Sequence, residues 1–311
     1  MNNARQRCRN YSFLMVLLVF FTCFFQIKDR YTYPLNDEEL VMVDTLLEKP
    51  QTRYFGLYSI ELSSDFTSSE NGITFNGTDM SVIGSKRQFY PAFKQFLYRH
   101  EEKLRNTHPV DKIDEPYLKN VYPLSSSEFG VIFEHTKNRF VSDAARVLNA
   151  WKWEGNVTFS VQINARDQRA SRYDKYKEVT PELFIYTIPK KKEDLLLILS
   201  NLHPREENRA PLGGRIAINF GEIDPEVLGL YDLIVQYVNS KLISIRLRTD
   251  NQVDVGVPLL KQDVRVVESN DGRTIYKKER KINGLDSSEW LLKRSGGYGS
   301  GSYFFMNLIW F

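Results

Sequence analysis

FGVIFEHTKNRFVSDAARVLNAWKWEGNVTFSVQI, residues 129–163, decides how the rest of the chain is read. Phe129 to Phe133 makes a short apolar strand. Phe140, Ala144, Val147, Leu148 and Trp151 then recur at helical spacing. After Glu154 and Gly155, the apolar residues Val157, Phe159, Val161 and Ile163 alternate with Thr158, Ser160 and Gln162, the pattern of a half-buried strand. Strand, helix and strand at this spacing predict a βαβ unit, and such units build parallel sheets. The expected fold class is α/β, with a mixed, mostly parallel sheet.

The flanking chain is read in the same sense. Phe55, Tyr58, Ile60 and Leu62 predict a strand, and residues 63–76, rich in Ser, Asn, Gly and Thr, a loop. Residues 89–104 and 193–202 predict helices, and residues 183–188 and 242–247 strands. Residues 106–123 carry three prolines and read as irregular. The apolar tail YFFMNLIWF, residues 303–311, is too short to span a bilayer. It reads as a buried element, or as a chain that stops within a domain.

Of the 311 residues, 42% are hydrophobic and 26% charged, which is globular composition with room for one large or two small domains. A formal charge of +3 is too small to argue for nucleic acid. Arg5, Arg7 and Arg9 precede an uncharged stretch, residues 10–27, and no small-x-small cleavage site follows it. Eighteen uncharged residues are just enough for one transmembrane helix. The positive flank lies on the N-terminal side, so the expectation is a single-pass type II signal anchor with residues 28–311 in the lumen. Cys8 and Cys23 both fall before residue 28, so the luminal part can form neither a disulfide nor a thiol site. Asn76 and Asn156 begin N-glycosylation sequons, which agree with that topology.

No nucleophile elbow, Walker loop or dinucleotide-binding glycine motif is present, and the four histidines form no metal-binding spacing. The remaining chemistry is positional. In open α/β sheets ligands collect at the carboxyl ends of strands. Here those ends carry Glu134-His135-Thr136 and, within RIAINFGEIDPEVLGLY (residues 215–231), Glu222-Ile223-Asp224. Two carboxylates one residue apart can hold a hard cation that neutralises a diphosphate leaving group. The same residues also read without chemistry: Asp224 as a helix N-cap, Pro225 at the first helical position and Glu226 in the first turn.

These stretches resemble LARGE-type and beta-1,4-glucuronyltransferases over residues 129–300. The carriers are the 129–163 segment, Glu222-Ile223-Asp224 with Gly229-Leu230-Tyr231, and Gly297-Tyr298-Gly299. The resemblance implies a GT-A-like (Rossmann-like) domain in which Glu222 and Asp224 hold Mn²⁺. It places Arg139 and His135 near the nucleotide sugar and Tyr298 on the acceptor side, and leaves the catalytic base unassigned. Departures are Glu for the first Asp of the metal motif, one residue fewer before Gly229 and no histidine after His203. The implied organisation is a cytosolic tail (1–9), an anchor (10–27), a stem (28–50), an N-terminal luminal region (51–125) and a transferase domain (126–311) incomplete at its C-terminus. The implied function is a Golgi or endoplasmic reticulum glycosyltransferase that moves glucuronic acid or xylose from a UDP-sugar to a glycan or glycoprotein. The alternative is a catalytically inactive luminal membrane protein with this or an unrelated α/β scaffold, acting in partner or glycan binding.

Overall fold

The computed structural model describes residues 48–75, 81–125, 129–179, 181, 185–240, 244–251, 272–282, 285–295 and 302–310, with residues 37, 41 and 44 ahead of them. Residues 41–252 form one compact unit, and residues 1–40 with 253–311 a second.

The larger unit is built on antiparallel strands: β1 (Pro50–Phe55), β2 (Tyr58–Ser63), β3 (Thr67–Phe75), β4 (Ser81–Arg87), β5 (Leu118–Pro123), β6 (Phe129–Thr136), β7 (Ala145–Glu154) and β8 (Val157–Arg166). Helix α1 (Tyr90–Arg105) lies between β4 and β5. Helices α2 (Asp174–Val179) and α3 (Ile188–Asn201) follow β8. Then come β9 (His203–Pro204), β10 (Ile216–Ile218), β11 (Gly221–Ile223), β12 (Tyr231–Val238) and β13 (Ser244–Asp250). The main sheet has eight strands in the order β13-β12-β3-β4-β8-β7-β6-β5, and every pairing in it is antiparallel. A small sheet, β10-β11-β9, and the β1-β2 hairpin complete the unit, with Gly56 and Ala217 exchanging backbone hydrogen bonds of 2.8 Å. In the second unit β14 (Gly272–Ile282), β15 (Leu285–Ser295) and β16 (Ser302–Trp310) form an antiparallel meander.

The mostly parallel sheet is therefore corrected to an antiparallel one. The decisive error lies at β7, a strand where a crossover helix is expected. β7 is covered on both faces. Side chains alternate across a strand, so Trp151 and Trp153 point one way and Lys152 the other. Trp151 meets Phe96 and His100 of α1, and the Trp153 ring packs at a tilt against Tyr90, with ring centroids 5.0 Å apart. Lys152, on the opposite face, donates from Nζ to the carbonyls of Leu199 and Leu202 at the end of α3 (2.9 and 3.0 Å). A strand buried on two sides loses its polar-apolar alternation, and its apolar residues can then fall at helical intervals by accident. β8 keeps its alternation and is a strand. It pairs with β7 through a two-residue turn, Gly155-Asn156, both at positive φ (54° and 63°), as a hairpin between right-twisted strands requires.

The expected loop at 63–76 contains β3, and the expected irregular stretch at 106–123 contains β5. The 183–188 segment gives only an isolated bridge at Tyr186 before α3 begins. The core fills with Phe133, Leu148, Phe159, Val161 and Ile163, none more than 1% exposed. Each such side chain stabilises the fold by about 1.5–3 kcal/mol.

Candidate functional site

The antiparallel strands give the sheet two ends at which turns and loops collect. At one end the β7–β8 turn meets the β4–α1 junction and the loop after β9, around a cleft of about 460 Å³. Its lining includes Arg87, Phe89, Asn156, Arg209, Leu212 and Glu222. Phe89 and Leu212 are exposed at 76% and 56%. Arg87 pairs with Glu206 and its guanidinium lies over the Phe220 ring. Beneath the cleft Arg205 is buried, and its guanidinium donates to the carbonyls of Ile218, Gly221, Glu206, Glu207 and Arg209. It thereby pins the 204–212 loop to the β10–β11 hairpin.

At the other end the loops 106–117 and 137–144 meet Arg172 and Tyr173, which lie between β8 and α2. Their centre is a partly buried ionic network. Asp114 accepts from the Asp143 N–H (3.0 Å) and from Arg172 (2.8 Å). Asp143 also takes Arg172, the Tyr173 hydroxyl (2.6 Å) and Lys119 (3.3 Å). Burial raises the pKa of the Asp143 carboxyl, but Tyr173, Arg172, Arg146 and Lys119 together outweigh it, and the net shift is downward. Next to this network Glu134 accepts from Asn120 (2.8 Å) and from the Tyr122 hydroxyl (2.7 Å), and pairs with Arg146. Burial and the Glu134 carboxylate push the Tyr122 phenol up.

The residues singled out from sequence are scattered over this frame. Glu222 is 3% exposed in the middle of β11, where it accepts from the Leu212 N–H (3.0 Å) and Arg215 (2.9 Å). Asp224 caps a 3₁₀ turn, Pro225–Leu228, by accepting from the Glu226 N–H (2.9 Å). The expected helix after it is this single turn, and β12 follows. His135 is buried at the end of β6, stacked on Tyr117 with Nδ1 2.8 Å from the Thr136 carbonyl, and burial lowers its pKa. Arg139 is exposed in the 137–144 loop and donates from Nε to the His108 carbonyl (2.8 Å). Glu222 and Arg139 thus lie at opposite ends of the sheet. Asn156 is exposed at its turn, while Asn76 and Tyr298 lie outside the described residues. Among the described residues, no group of three or more His, Cys, Asp or Glu side chains is arranged to hold a metal ion. The two ends themselves were invisible in the sequence, because their members come from segments as far apart in the chain as Arg87 and Glu222.

Residues 51–205 match the family model described as the Tle cognate immunity protein 4 N-terminal domain. No curated protein matches the sequence. Among solved structures, the chain is similar to the apo immunity protein TplEi of T6SS from Pseudomonas aeruginosa, at 14% identity, 84% of this chain, 82% of that chain and a TM-score of 0.57. It is also similar to a chain of the Tle4–Tli4 complex, at 14% identity, 83% and 79% coverage and a TM-score of 0.55. TplEi complexed with "L" peptide matches at 12% identity, 84% and 81% coverage and a TM-score of 0.50.

These findings correct the expected family, function, partners and location. The likeness is to Tle immunity proteins and not to LARGE-type or beta-1,4-glucuronyltransferases. The Golgi glycosyltransferase, the inactive luminal alternative, and the UDP-sugar and glycan partners fall with it. Among the described residues no helix is long and apolar enough to cross a membrane. The 10–27 stretch lies outside them.

Proposed function

We propose that this chain is an immunity protein that binds a Tle effector of T6SS and blocks its toxicity. The observation that carries the reading is the family match over residues 51–205. The solved structures of the same fold, one of them a Tle4–Tli4 complex, support it. Three arginines ahead of an uncharged 10–27 stretch have the composition of a bacterial export segment, which would carry the rest of the chain out of the cytosol.

The test is co-expression with each Tle effector encoded in the same genome, followed by light scattering on the purified pair. One effector is expected to form a stable complex and to lose its toxicity in cells that also express this chain. If every such effector stays toxic and none binds, the reading fails.

A further inference from the structure

The cleft beside the β7–β8 turn holds more positive charge than its carboxylates neutralise. Every carboxylate at it is matched by a cation. Glu206 keeps its charge in solvent, but so does Arg87, with which it pairs. Glu222 is held by Arg215 and, in the loop beneath, Glu207 by Arg53, both at 2.9 Å. Glu154, next to the turn, is held by Lys152 (2.8 Å). Two arginines that line the cleft are left over. Arg209 is exposed, and among the described residues no carboxylate pairs with it. Arg205 is buried and donates to five carbonyls, so it acts on the cleft through its charge and not by direct contact. Burial pushes the Arg205 guanidinium below its ordinary value, so the nearby Glu222 and Glu207 do not make up for its lost hydration. An arginine stays protonated all the same, and its charge remains under the cleft.

The walls are apolar. Phe89 and Leu212, exposed at 76% and 56%, line the cleft together with Val157 and Pro204. The volume of about 460 Å³ lies within the range of ligand clefts, about 300–1,000 Å³. An excess of one charge between low-dielectric walls concentrates ligands of the opposite sign. A free small anion would leave Phe89 and Leu212 in water, whereas a protein segment covers them. The floor is also fixed in advance, since Arg205 ties the 204–212 loop to the β10–β11 hairpin, and this removes ordering cost from binding.

We infer that this cleft takes a segment of the effector in which a carboxylate side chain stands beside an apolar one. The carboxylate meets Arg209 above the Arg205 charge, and the apolar side chain packs against Phe89 and Leu212. This rests on the immunity reading above and adds to it which face binds and what chemistry that face selects.

The experiment uses the full chain and the Tle effector from the same genome that the wild-type chain binds, read by biolayer interferometry. R209E is expected to weaken binding at least tenfold, and L212D about 30-fold. Added salt should slow association of the wild type and hardly change that of R209E. Both positions are exposed, so thermal midpoints should stay within about 2 °C of wild type. A photo-crosslinking residue at position 212 gives a test that does not depend on either variant folding. Its adduct is expected on an effector segment that carries Asp or Glu beside an apolar residue, and changing that acid to Lys should restore binding to R209E. If the wild type binds and both variants keep its affinity, the docking face is elsewhere, and the immunity reading stands. An adduct on a segment without a carboxylate, or between two copies of this chain, overturns the proposal in the same way. If the wild type binds no effector, both readings fall together.

Discussion

Arg205 shows how much one side chain can carry. It is buried, and its guanidinium serves five carbonyls of the 204–212 loop and the β10–β11 hairpin. Arg205→Ala would orphan those carbonyls, each costing about 1–3 kcal/mol if it finds no water. Urea unfolding should show a loss of at least about 3 kcal/mol, and Arg205→Lys should recover only part, since an ammonium cannot reproduce the fork. Titration gives a second test at this scale. His100 and His135 both have folded pKa values below 6.5, chiefly because burial disfavours the imidazolium. The unfolded chain then binds more protons than the folded one, so stability is full above pH 6.5 and falls as pH drops through that value. Urea midpoints at pH 7.5 and 5.5 should differ, and the difference should shrink in His135→Gln. Asp143 adds a further loss at lower pH, as its depressed carboxyl is protonated below the ordinary 3.8.

At the level of elements, β7 sets the architecture. Lys152 binds the last carbonyls of α3, an interaction that suits a helix C-terminus because a cation meets the negative end of the dipole. Lys152→Met keeps the length of the side chain but leaves two carbonyls bare. A loss of about 1–3 kcal/mol is expected by urea unfolding, with α3 amides exchanging faster than those of α1. Neighbouring β6 carries a backbone constraint at Gly130. A Cβ there would stand 2.2 Å from the Trp151 carbonyl oxygen and 2.6 Å from Leu124 Cδ1. Backbone cannot yield as a side chain can, so Gly130→Ala should destabilise by about 1–3 kcal/mol, whereas Gly213→Ala, in open space, should be close to neutral by the same assay.

At the level of the molecule, residues 41–252 hold the eight-stranded sheet, both of its helix-covered faces and the partly buried ionic network. That unit has its own core. A 41–252 fragment is expected to unfold in one cooperative urea transition, and a non-cooperative melt would show that the sheet does not stand by itself. The antiparallel frame also explains where partner surfaces can arise. Hairpin turns and connecting loops collect at the two ends of the sheet, while α1 and α3 cover the faces between.

The sequence by itself determined the local pieces whose signal is local. The alternation of Val157, Phe159, Val161 and Ile163 marks β8, the spacing of Phe93, Phe96 and Leu97 marks α1, and the Asp224-Pro225 pair is a cap and a first turn. Each follows from a period or a side chain acting within a few residues. Tertiary structure decided the rest. β7 reads as a helix because α1 and α3 bury both of its faces, and nothing near β7 in sequence announces either cover. That Glu222 accepts from the Leu212 N–H and from Arg215 is also seen only in the fold. Likewise Val110, Ile113 and Phe140 are ordinary apolar residues in the chain. Only the fold brings their loops to one end of the sheet, where Arg172 donates to the Ile113 carbonyl and to Asp114, and the Asp143 N–H donates to Asp114.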